Sequence, residues 1–122
     1  MKADCGMEWY VAKLVYQIVS SKEPSAPQID EQYRLIRADD PMWAWEKATT
    51  LGKLGECKLT GYKNSSVEWK FINVVDLHEI GEIKDGAELF SYTNEPNDLK
   101  EYMAVNKQRA RRLMDIYNYQ SA

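Results

Sequence analysis

Histidine is almost missing from this chain of 122 residues: His78 is the only one. A metal site would have to combine that imidazole with carboxylates or with both cysteines, and no spacing in the chain supports either set. Cysteine is nearly as scarce. Cys5 and Cys57 form no CxxC pair. A reduced pair of ordinary thiols is the expectation for a cytosolic chain, with one disulfide as the alternative. The six glycines are scattered, so no phosphate-cradling loop is present, and neither GxSxG nor HExxH occurs. No apolar run is long enough to span a bilayer. The opening "MKADCGMEWYV" lacks the basic, apolar and small-residue regions of a secretory signal, so the expected location is the cytoplasm. Sixteen Lys and Arg against nineteen Asp and Glu leave a net charge of −3. The chain as a whole is therefore not drawn to nucleic acid or to an anionic membrane.

What is present is hydrophobic patterning over the length of one ordinary domain. Residues 1–7 are expected to be a disordered leader and residues 8–122 a single α+β domain. "WYVAKLVYQIV" alternates, with Tyr10, Ala12, Leu14, Tyr16 and Ile18 on an apolar face and Trp9, Val11, Lys13, Val15 and Gln17 on a mixed one. "SSKEPSAPQ" is a loop, and "IDEQYRLIRA" is the returning strand, with Ile29, Tyr33 and Leu35 in phase. In "DDPMWAWEKATTLGKLG", Asp39 or Asp40 caps a helix and Pro41 suits its first position. Ala44, Ala48 and Leu51, with Trp45 and Gly52 beside them, form its inner face, and Gly55 is its stop. Residues 56–66 look irregular, and Cys57 falls in or near that loop.

"VEWKFINVVDLHEI" alternates again. Strict period two puts Val67, Trp69, Phe71, Asn73, Val75 and Leu77 on one face, opposite Ile72, Val74, Asp76 and His78. "AELFSY" (87–92) reads as a short strand after a turn at Gly86. "NDLKEYMAVNKQRARRLMDIYNY" reads as a long amphipathic helix capped by Asn97 or Asp98. The order β-β-α-β-β-α predicts an α+β two-layer sandwich: a mainly antiparallel four-stranded sheet with two helices on one face. The other face would carry Trp9, Val11, Val15, Ile72 and Val74. That is too apolar to be left wet, so a partner or a second copy, giving a homodimer, is expected to cover it.

Candidate sites follow from these placements. His78 and Asp76 share a strand face, and Asp76 could orient the imidazole as a general base. No serine, cysteine or lysine is tied to them by spacing, so a plain polar strand end outweighs catalysis. Trp43, at a proline-led helix start, is a candidate binding anchor, with packing against the loop edge or the neighbouring strand as the simpler reading. Arg109 and Arg112, helical neighbours in "KQRARRL", suit an acidic partner or a phosphate, with a solvated face as the simpler reading. Glu95 and Asp98 belong to helix-start chemistry. No cofactor and no metal is implied.

The stretches "WYVAKLVYQIV", "DEQYRLIRADDPMWAWEKATTLG", "VEWKFINVVDLHEI" and "DGAELFSYTNEP", in that order, resemble a bacterial family known only as a domain of unknown function, family 4288. The resemblance implies a small α+β fold and supplies no activity or site residue. The leading expectation is a non-enzymatic cytosolic module that binds another protein, an accessory or immunity-like factor. Its partner-binding candidates are Trp43, Arg109, Arg112, Trp9, Val11 and Val15. The rivals are a small-molecule binder or modest enzyme with a pocket between sheet and helices, and a self-associating subunit.

Overall fold

The computed structural model describes residues 6–22 and 26–121, with side chains up to Asn118. Cys5 and most of the expected leader lie outside the described residues. The chain divides into two compact units, Met1–Ser91 and Tyr92–Ala122. The first holds β1 (Glu8–Ser20), β2 (Gln28–Ala38), α1 (Pro41–Leu54), β3 (Cys57–Thr60), a 3-10 turn (Tyr62–Asn64) and β4 (Ser66–Ile80). The second holds α2 (Leu99–Ser121). The fold is α+β in the order β-β-α-β-β-α. All strand pairs are antiparallel, and the sheet order is β2-β1-β4-β3.

β1 is the centre of the sheet because one of its faces is apolar throughout. Tyr10, Ala12, Leu14 and Tyr16 are each at most 2% exposed, and they meet Ile36 and Ala38 of β2 and Ala44 and Ala48 of α1. α1 starts where the sequence indicates. Asp40 accepts the Trp43 N–H at 2.7 Å, and Pro41 fills the first turn, where its missing N–H costs nothing. The helix lies close to the sheet at Gly52. A Cβ there would overlap the ring of Phe71, and one at Gly55 would overlap the Tyr16 hydroxyl. Gly55 has a right-handed backbone, so tight packing at Tyr16 is what requires glycine there, not a left-handed cap. The Tyr16 hydroxyl donates to the Gly52 carbonyl at 2.8 Å and so ties the helix end to the central strand.

Three local expectations are corrected. β4 is not a period-two strand throughout. Its register with β1 shifts between Lys13 and Leu14 and again between Val15 and Tyr16, skipping Val75 and Ile72. The two bulges turn Val74 into the core with Trp69, Phe71 and Leu77, while Asn73 and Val75 are exposed. The fourth strand is β3, Cys57–Thr60, lying in the stretch read as irregular; residues 87–92 are not a strand. Cys57 is accordingly an exposed strand residue with a free thiol. Trp45 leaves the inner face of α1 and is 45% exposed.

The expectation of helices on one sheet face is carried by α1. α2 is described by itself. Its start is capped by Asp98, which accepts the Glu101 N–H at 3.1 Å. Its stripe of Leu99, Tyr102, Met103, Leu113, Met114 and Tyr117 is exposed. Among the described residues no helix is long and apolar enough to cross a membrane.

Candidate functional site

The face of the sheet away from α1 is built by register. Val11 of β1 lies between Leu35 of β2 and His78 of β4, and Lys13 lies between Tyr33 and Asp76. After β4 the chain turns at Gly86, whose φ of +84° suits glycine, and brings Phe90 back to this face. The Phe90 ring stacks on His78, centroids 5.0 Å apart at 11°, and on Tyr33, 5.6 Å apart at 22°. Because Tyr33 and His78 stand on the two neighbours of β1, Phe90 spans the central strand. Each such ring pair is worth about 1 kcal/mol beyond the area it buries. Part of the apolar second face is thus covered by the chain's own residues.

Lys13 closes the row beside Tyr33. Its Nζ is 2.5 Å from Glu31 Oε1 and 5.7 Å from the Tyr33 ring centre. The Glu31 carboxylate, first by hydrogen bonding and then by charge, raises the Lys13 ammonium above its ordinary value.

His78 is where sequence reasoning placed it, on the same face as Asp76 near the end of β4. Its Nε2 lies 2.9 Å from Asp76 Oδ1, but the pair does not meet the geometry of an aligned hydrogen bond, and Nε2 is buried. The ion pair exists only when the imidazole is protonated. His78 walls a cleft of about 530 Å³ whose lining also includes Glu79, Glu82, Lys84, Glu88 and Phe90. The cleft lies between the end of β4 and residues 81–91, not between sheet and helices. Among the described residues, neither Ser91 nor Lys84 of this lining bonds to His78, so no nucleophile–base pair is assembled. Nor do the described residues place three metal-ligating side chains together.

The other expected site residues disperse. Trp43 is 46% exposed on the outer side of α1. It lines a shallow, largely apolar groove of about 450 Å³ with Leu51 and Leu54, rimmed by Glu46, Lys47 and Thr50. Trp9 is half-buried beneath the Arg37 guanidinium, 5.6 Å from the ring centre. Val15 is half-buried, and Val11, 4% exposed, offers no surface to a partner. Arg109 and Arg112 are exposed on α2, in the other unit.

Two residues of the second face were missed as a pair, Phe90 and Tyr33. The signal lay in the register between β1 and its neighbours, which no single-strand periodicity carries. Leu54 was missed because it lies past the inner face of α1.

The curated proteins yield no match to this chain, and nor do the solved structures. A family model described as Domain of unknown function (DUF4288) matches residues 9–91, which run from β1 through the segment bearing Phe90. Well over half of the sequence falls within that match, and the chain belongs to this family of uncharacterised domains.

Proposed function

We propose that this chain is a non-enzymatic bacterial module of the cytoplasm that binds another protein through the outer surface of α1. The observation that carries the reading is the groove at Trp43. Trp43 and Leu54 stand exposed beside the half-buried Leu51 on a helix whose opposite side is locked into the core, with charged side chains around them. An aromatic anchor in an apolar patch with a polar rim is the pattern of a protein-binding hot spot. The rigid seating of α1 at Gly52 means little ordering is needed on binding.

The test compares proteins retained by the immobilised full chain with those retained by Trp43→Ala and Leu54→Ser. Leu59→Ser, an exposed change on β3, serves as the control. A partner lost with both α1 variants and kept by the control is the expected result. Equal retention by all four chains removes the reading.

A second reading is favoured by one observation, the cleft walled by His78 with its buried Nε2. In this reading the cleft binds a small molecule. His78→Ala with unaltered ligand binding and turnover would remove it.

A further inference from the structure

β2 is the outermost strand on its side of the sheet. Its eleven residues run in unbroken register with β1, with no bulge and no proline. Alternate residues of such a strand turn their N–H and C=O groups away from the sheet, which makes a template for another strand. The opposite side of the sheet is blunted. β3 has four residues, β4 carries two bulges, and the Glu56 carboxylate accepts the Phe71 N–H at 3.0 Å.

We propose that β2 pairs antiparallel with β2 of a second copy of this chain, centred on Gln32. The result is a continuous eight-stranded sheet with both α1 helices on one face. None of the paired residues of β2 lines the Trp43 groove, so either proposal stands without the other.

The register follows from the side chains. A two-fold axis through the sheet must set one residue of β2 opposite its own copy. Centred on Gln32, it sets Asp30 opposite Arg34 twice, Ile29 opposite Leu35, Glu31 opposite Tyr33 and Gln28 opposite Ile36. Centring on Glu31 or Arg34 faces like charges directly, and centring on Tyr33 sets Ile29 against Arg37 and Leu35 against Glu31. The window also ends where the chain ends it. The next pair would be Arg37 with Pro27, which has no N–H, and the Arg37 carbonyl already accepts from Lys47 Nζ at 2.5 Å.

Within one chain Arg34 donates to Gln32 Oε1 at 2.8 Å, and Gln32 Nε2 donates to Asp30 at 2.7 Å. Two such ladders would meet head to tail, the basic end of one against the acidic end of the other. Ile29, Tyr33 and Leu35 are each more than half exposed, and Ile29 and Leu35 would meet on the other face.

Sedimentation of the full chain over a range of concentrations tests this, with circular dichroism confirming that each variant folds. The wild type should approach twice its 14.2 kDa mass. Arg34→Asp alone should weaken association about tenfold or more, about 1.4 kcal/mol, by facing two acids across each pair. The exchanged double variant Asp30→Arg with Arg34→Asp should restore it, which loss of fold could not do. A wild type that stays monomeric at the highest concentration overturns the proposal. So does a dimer indifferent to Arg34→Asp.

Discussion

Tyr16 shows how much one side chain contributes when its ring and its hydroxyl both find partners. The ring packs on Phe71 with centroids 5.5 Å apart, and the hydroxyl holds the Gly52 carbonyl. Tyr16→Phe keeps the ring and loses the bond, while the Gly52 carbonyl still accepts the Gly55 N–H at 3.1 Å; the expected cost in urea unfolding is about 1 kcal/mol. Gly52→Ala has the opposite signs in competition. Alanine gains about 1 kcal/mol in a free helix, but its methyl overlaps Phe71 here, and overpacking costs about 1–3 kcal/mol. Because the backbone is held on both sides, net destabilisation is expected. Burial raises the phenols of Tyr10 and Tyr16 above 10.0, with the Glu79 carboxylate adding to the shift at Tyr10. The folded state thus holds protons that the unfolded chain releases from pH 10 upward, so stability falls as pH rises beyond that point. Lys13 acts in the same direction, its ion pair being lost as pH rises through its raised folded value. Melting temperature followed into the alkaline range checks the sign, and Tyr16→Phe should flatten the slope.

Among the elements, β1, β2, α1 and α2 were legible in the sequence because each carries its own signal: strict alternation, a capping Asp with Pro after it, or a helical stripe. Asp40→Ala should cost about 1 kcal/mol in thermal unfolding, as loss of an N-cap usually does. β4 was legible as a strand but not in its phase. A bulge is a property of a pair of strands, and Val74 differs from Val75 only in what β1 places opposite it. β3 went unseen because "CKLT" is only four residues long and exposed throughout, too short for its alternation to stand out from the polar stretch around it. The stretch 87–92 alternates well enough to suggest a strand, yet it serves a side-chain contact instead: Phe90 covers the sheet where a further strand was expected. Phe90→Ala should therefore release residues 81–91, with a loss of about 2 kcal/mol and earlier cleavage there in limited proteolysis.

At the scale of the molecule, the sequence placed single residues more clearly than the surfaces they build. His78 was placed on the right face beside Asp76, but its stacking partner comes from a segment whose path depends on the turn at Gly86. That Trp43 could stand exposed was legible from its helical position, whereas Val11 was not legible as buried, because what covers it arrives from elsewhere in the chain. The row Ile29, Tyr33 and Leu35 was read in the correct phase, but only the strand order shows that it borders an open edge.

That edge, eleven residues in unbroken register where β4 carries two bulges, is the feature on which the proposed assembly rests. Amide hydrogen exchange across Gln28–Ile36, measured in dilute and in concentrated protein, reads it directly. The outward-facing amides of β2 should exchange freely when dilute and become protected on concentration, while those of β1 stay slow in both. Exchange along β2 that does not change with concentration would contradict it.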